Sequence, residues 1–188
     1  MTDAEILQVF RDTGALLDGH FVLRSGLHSR EYFQCALVLQ YPRIAEHLCK
    51  ELAAKLKDTG ARTVVSPALG GLFVGHEVAR ALGARHIFAE KNASGTLELR
   101  RNFRLAPREK VLVVEDVVTL GGRVWETMAI VRGFGGEVVG AGVLVDRSGG
   151  KMDFGVRLES LLRLTVETFD SAACPLCQAG EPISKPGS

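Results

Sequence analysis

The sequence predicts an α/β fold: a single domain over residues 1–188 with a mostly parallel central sheet flanked by helices. Three observations carry that expectation. Between residues 42 and 145, short β-branched runs alternate with stretches of helical period. The strand-like runs are apolar at consecutive positions, as in strands buried on both faces. A length of 188 residues, with 46% hydrophobic and 24% charged side chains, suits one globular domain.

Residues 1–35 read as an appended cap, or hood: a short helical start, then Gly19-His20-Phe21-Val22-Leu23-Arg24-Ser25-Gly26, which does not join the alternation. Pro42 suits a first helical turn and opens a helix whose Ile44, Leu48, Leu52 and Leu56 share one face; it ends near Gly60. Thr63-Val64-Val65 is a strand leading to a glycine loop, after which Val74, Val78 and Leu82 mark a helix. Arg85 to Ala89 is the next strand. Residues 90–110 do not fit the alternation, being polar around Asn92 to Gly95 and then extended and basic, and residues 85–110 together carry a local net charge of +4. Val111 to Val114 is a buried strand, Val124, Trp125, Met128 and Val131 stripe a helix, and residues 137–145 close the series with another apolar strand. The tail from about residue 170 holds three of the six prolines and is expected to be irregular.

Whole-chain charge excludes little by attraction and much by its absence: +1 offers no field for nucleic acid or an anionic membrane. No apolar run approaches the roughly 18 to 20 residues that cross a bilayer. Met1-Thr2-Asp3-Ala4-Glu5 is acidic where a secretory signal would be basic, so a cytoplasmic setting is expected. Four cysteines, Cys35, Cys49, Cys174 and Cys177, are too few and too irregular for a disulfide scaffold and are expected as thiols. Cys174-Pro-Leu-Cys177 has metal-knuckle spacing, but tetrahedral zinc needs four ligands and no second such pair follows in the sequence. The tail is therefore read as inert, with no protein metal ligand.

The chemistry concentrates in Val111-Leu112-Val113-Val114-Glu115-Asp116-Val117-Val118-Thr119-Leu120-Gly121-Gly122-Arg123. A buried strand delivers two adjacent carboxylates, and a threonine and two glycines follow just before a helix. Glycines let backbone N–H groups approach an anion, and a helix N-terminus adds its positive end, so residues 119–123 suit a phosphate. The acids suit sugar hydroxyls or a cationic centre. A plainer reading makes Asp116 or Thr119 a helix cap, which needs no neighbouring acid. Neither GxxxxGK[ST] nor GxGxxG is present, which removes ATPase and dinucleotide readings.

Val111 to Val124 resembles the phosphoribosyl-pyrophosphate signature of type I phosphoribosyltransferases. Phe21 to Ser29, Ser66-Pro67-Ala68-Leu69-Gly70-Gly71 and Leu144-Val145-Asp146-Arg147 are similar, in order and spacing, to segments of the orotate phosphoribosyltransferase family, and the tail ending Lys185-Pro186-Gly187-Ser188 is similar too. The resemblance implies the type I phosphoribosyltransferase fold and transfer of a phosphoribosyl group to orotate, yielding orotidine 5'-monophosphate and pyrophosphate, with Mg2+ as cofactor. It implies that Glu115 and Asp116 engage the ribose and favour an oxocarbenium-like transition state, and that Glu115, Asp116, Val117, Val118, Thr119, Leu120, Gly121, Gly122 and Arg123 bind the sugar donor. Ala68, Leu69, Gly70 and Gly71 would form the pyrophosphate loop. Arg147 would grip the orotate carboxylate, with Thr119 and Arg24 beside it, whereas a plainer reading pairs Arg147 with Asp146 on the surface. Lys91 is the candidate cation of a loop at 90–110 that closes over the site and crosses to the neighbouring subunit of a homodimer. Family loops usually carry small or hydroxyl residues where Leu120 and Arg123 stand, and often a lysine in place of Gly70. A purine-type phosphoribosyltransferase and a non-catalytic regulator on the same fold are the alternatives.

Overall fold

The computed structural model describes residues 1–23 and 25–186, so the expectation for Arg24 and the last two positions, Gly187 and Ser188, lies outside the described residues. Helix α1 (Asp3–Asp12) starts on a capping box, Thr2 Oγ1 accepting from Glu5 N–H and the Glu5 carboxylate accepting from Thr2 N–H. Strands β1 (Leu16–Val22) and β2 (His28–Phe33) form an antiparallel hairpin. A short α2 (Cys35–Leu39) leads into α3 (Pro42–Leu56), which has proline in its first turn and is followed by a 3-10 turn that stops at a left-handed Gly60, φ 64°. The alternation then runs β3 (Thr63–Pro67), α4 (Gly71–Leu82), β4 (Arg85–Lys91), β5 (Leu97–Leu99), β6 (Lys110–Val118), α5 (Gly122–Gly133), β7 (Glu137–Asp146) and β8 (Leu158–Arg163). The chain ends through β9 (Thr168–Phe169), α6 (Pro175–Gln178) and β10 (Ile183–Ser184).

Six strands form the central sheet in the order β5-β4-β3-β6-β7-β8, parallel throughout except where β5 folds back on β4. The apolar run of β6 explains itself by parity: Leu112 and Val114 join the core under α3 and α4, while Val111 and Val113 join the core under α5. Leu48, Leu52 and Leu56 of α3 are fully buried in the first of these cores. Each such side chain contributes about 1.5–3 kcal/mol by leaving water. A second sheet, β10-β1-β2-β9, is the hood. No helix of the described residues is long and apolar enough to cross a membrane.

Three expectations are corrected. Trp125, expected in the core stripe of α5 with Val124, Met128 and Val131, is 42% exposed with its ring edge-on to Phe154, while the other three are buried. Residues 137–145 do not close the series, because β8 adds a further parallel strand at the sheet edge. Its polar Glu159, Ser160 and Arg163 break the apolar run by which the inner strands are recognised. Nor is the tail irregular. It contributes β10 to the hood alongside β1, and Cys174 and Cys177 lie against His20 and His28. The two histidines come from strands some 150 positions earlier, a proximity that spacing alone does not reveal.

Candidate active site

The chain places its loops by topology. From β3 it runs through α4 to β4 on one side, then returns to the other side of β3 as β6. The switch point between β3 and β6 is where open parallel sheets leave a crevice beyond the strands' carboxyl ends. Pairing of β3 with β6 reaches only Val65 and Val113, after which β6 continues against β7 as far as Val118 and Asp146. Into this gap come the loop after β3 and the acids of β6.

They meet closely. A Cβ at Gly70 would stand 2.9 Å from Asp116 Oδ2, and one at Gly71 would stand 3.1 Å from Glu115 Oε1 and 3.0 Å from Ser66 Cβ. The glycines therefore do more than turn a strand into a helix: they admit two carboxylates against backbone. A side chain at position 70 would force Asp116 to move. Behind the loop, Ser66 Oγ and His86 Nε2 are 2.8 Å apart, and burial, followed by nearby His76, pushes His86 down to about 4.

Glu115 is 6% exposed. Burial, then the charge of Asp116, holds it well above the usual carboxylate range, and burial raises Asp116 as well. The two acids titrate as a pair. Asp116 Oδ1 accepts from Val117 N–H at 2.8 Å and Glu115 Oε1 accepts from Asp116 N–H at 3.2 Å, so backbone holds both side chains at the end of β6. A positively charged ligand would relieve their mutual repulsion. Arg123, at the start of α5, already does so in part, lowering Glu115 against the larger effects.

Helix α5 begins on Gly121, left-handed at φ 73°, with no side-chain cap and no acid in its first turn. Neither Asp116 nor Thr119 caps it, so its first N–H groups remain for an anion. Gly121 is required twice over, since a Cβ there would also meet Met152 Sδ and Phe154 Cζ at 2.9 Å. Thr119 and Leu120 are exposed beside it.

Arg147 follows β7, its N–H donating to the Val118 carbonyl at 2.9 Å. It is not a surface partner of Asp146. That carboxylate is fully buried, accepting from Ser148 N–H and Oγ at 2.8 and 2.6 Å, with Arg163 Nε 3.4 Å from its other oxygen. Arg147 Nε is buried with no hydrogen-bond partner among the described residues. Burial pushes the thiol of Cys35, at the start of α2, well up, and the charges of Asp116 and Glu115 add to that while Arg147 opposes it.

Lys91 ends β4 and pairs across the hairpin with Leu97, its side chain exposed. The hairpin base is anchored: Leu97 is buried and its N–H donates to Glu126 of α5 at 2.8 Å. Arg101 pairs with Glu90 at 2.9 Å over the Phe88 ring, and Arg100 with Glu98 at 3.5 Å, so both loop arginines are engaged within the hairpin.

A phosphoribosyl transferase domain model matches residues 38–154. An orotate phosphoribosyltransferase of Desulforamulus reducens is 55% identical over 188 residues, which cover 100% of this chain and 98% of that protein. The chain belongs to the orotate phosphoribosyltransferase family. Among solved structures, the orotate phosphoribosyltransferase of Aeropyrum pernix superposes with a TM-score of 0.70 at 28% identity, covering 84% of this chain and 92% of its own. An adenine phosphoribosyltransferase of Thermoanaerobacter pseudethanolicus shares the fold, with a TM-score of 0.63 at 19% identity over 71% of this chain and 88% of its own. Phosphoribosyltransferase architecture thus accommodates different bases, and the residues beyond the strand ends must choose between them.

Within this phosphoribosyltransferase, the matched region holds the acid pair, both glycine loops, the hairpin and Arg147, while most of the hood and the tail fall outside it. Sequence reasoning missed the Ser66–His86 support beneath the first loop, whose only sequence trace is Gly75: a Cβ there would stand 2.6 Å from His86 Nε2.

Proposed function

We propose that the chain transfers the phosphoribosyl group of 5-phospho-α-D-ribose 1-diphosphate to orotate, forming orotidine 5'-monophosphate and pyrophosphate. The observation that carries this reading is the juxtaposition at the sheet's switch point: a buried acid and a half-buried one against a glycine loop, followed by an uncapped helix start, with a half-buried arginine on the adjoining strand whose Nε has no partner among the described residues. A ring nitrogen of orotate forms the new bond to the anomeric carbon, and the bond from that carbon to pyrophosphate breaks. Positive charge grows on the sugar as negative charge grows on the leaving group.

Each residue has work suited to its setting. Glu115 and Asp116 accept hydrogen bonds from ribose hydroxyls and, once ionised, stabilise the cationic sugar. The N–H groups from Thr119 to Arg123 hold the 5-phosphate. The loop from Ala68 to Gly71 receives pyrophosphate through the backbone N–H groups of Leu69 to Gly71, the Ala68 N–H being already donated to the Ala89 carbonyl. Arg147 presents a planar guanidinium to the orotate carboxylate, and Thr119 stands near enough in sequence and strand register to join it. The acid pair is the oxygen donor set that a hydrated Mg2+ would face, and the bound ion would supply positive charge to offset that of the pyrophosphate. Lys91, exposed at the end of β4, is the cation for the departing pyrophosphate, acting in a cytoplasmic homodimer across the subunit boundary.

An absorbance assay with Mg2+, donor and orotate tests the reaction: orotate's ultraviolet band should disappear as product forms. An unchanged spectrum under saturating conditions rejects the proposal and favours a non-catalytic sensor. Turnover with adenine, but none with orotate, would make it a purine-type enzyme.

A further inference from the structure

We propose that His20, His28, Cys174 and Cys177 form a tetrahedral zinc site that fastens the C-terminal tail to the hood. All four lie outside the matched residues 38–154, and the proposed reaction uses none of them. Their ligand atoms lie within 4.8 Å of one another. His20 Nε2 is 3.6 Å from both sulfurs, and Cys177 Sγ is 3.3 Å from His28 Nδ1. Zinc bonds of about 2.3 Å to sulfur and about 2.0–2.1 Å to nitrogen at tetrahedral angles give sulfur–nitrogen separations of about 3.5 Å. The two imidazole nitrogens, 2.7 Å apart, need to open by only a fraction of an ångström to accept the ion.

Protonation and support fit as well. His20 Nδ1 is 3.0 Å from the Glu181 carbonyl, which can only accept, so Nδ1 carries the proton. In the neutral ring, that leaves the Nε2 lone pair directed at the other three donors, the arrangement by which a second hydrogen bond fixes a metal-binding histidine. Two imidazoles and two thiolates select zinc over magnesium or calcium, and four protein ligands make a closed structural centre. His20, His28 and Cys174 are buried, with Cys177 on the solvent side.

The fold also has a place for such a fastening. His28 and Cys177 are 149 residues apart in the chain, and the tail joins the hood through two two-residue strands. Strands that short hold little by themselves. A metal closing so long a loop restricts the unfolded chain and fixes the β1–β2 hairpin, from which Gln34 leads into α2.

Elemental analysis of the full chain, purified without a histidine tag and with its thiols kept reduced, tests the site. About one zinc per chain is expected, the stoichiometry of a single four-ligand centre. Cobalt substitution should give the visible bands of a tetrahedral ion with thiolate charge transfer, and chelation should lower the melting midpoint. Cys174→Ser with Cys177→Ser should lose the metal. Should that double variant not fold, the single Cys177→Ser substitution, at the outer edge, should weaken zinc retention and alter the cobalt spectrum. No bound zinc after incubation with excess metal would overturn the proposal. So would a Cys174–Cys177 disulfide under reducing conditions, or full zinc occupancy in a folded double variant.

Discussion

Arg147 and Asp116 sit on adjoining strand ends, yet the geometry separates their tasks. A charge-assisted bidentate bond contributes on the order of 1.5–3 kcal/mol, so Arg147→Ala should raise KM for orotate about 10- to 100-fold and leave KM for the sugar donor nearly unchanged. Steady-state kinetics with each substrate varied would check this, and equal changes in both constants would remove Arg147 from the orotate site. Asp116→Asn should instead lower kcat more than it weakens donor binding, because its charge matters most when the sugar becomes cationic. The acid pair also predicts a pH effect. Raised values mean that the folded state holds more protons than the unfolded one above the ordinary carboxylate range, so the pair destabilises the fold increasingly as pH rises through that window. Glu115→Gln should therefore raise stability at neutral pH by about 1–2 kcal/mol while lowering turnover, a trade visible by comparing denaturation midpoints with kcat. These residues were legible because strand, acids and glycines lie consecutively in the chain. The proximity of Gly70 to Asp116 was not, since two strand ends had to be brought together before a missing Cβ acquired meaning.

At the scale of elements, strands β3, β6 and β7 and helices α3 to α5 were readable because each obeys one strong period. Continuous apolar runs can belong only to strands covered on both faces, and Leu48, Leu52 and Leu56 only to a helix facing them. Strand β8 and the hood's β9 and β10 escaped for a matching reason: an edge strand keeps polar residues, and a two-residue strand has no period at all. The α3–β7 contact yields a prediction of its own. A Cβ at Gly142 would stand 2.7 Å from Leu56 Cδ1, with both Leu52 methyl carbons at 3.5–3.6 Å. Gly142→Ala should thus push α3 off the sheet and cost about 1–3 kcal/mol, as overpacking does in a filled core. Chemical denaturation would measure the loss; a neutral result would mean that the interface relaxes around the added methyl. Because α3 lies on the face away from α5, the effect should fall on stability more than on KM for either substrate.

The whole molecule raises the question of where its hairpin acts. Arg101 and Arg100 are engaged by Glu90 and Glu98 of their own hairpin, and Leu97 is tied to Glu126, so the hairpin base is fixed and holds Lys91, the strand partner of Leu97, with its side chain exposed. At the glycine loop, Leu69 and Phe73 are 81% and 65% exposed and form an apolar step open to a partner surface. If a twofold dimer brings Lys91 of one subunit over the acids of the other, a subunit lacking Lys91 and a subunit lacking Asp116 can repair each other. Lys91→Ala and Asp116→Asn proteins should each be weakly active. After mixing under conditions that exchange subunits, hybrids would hold one doubly impaired site and one intact site, so random pairing should restore about a quarter of wild-type activity. Should Lys91 serve its own subunit, every site in the mixture keeps one lesion and mixing restores nothing. Sedimentation of the mixture establishes that hybrids formed, so an unrestored rate in a dimeric, exchanged sample would assign the hairpin to the chain that carries it.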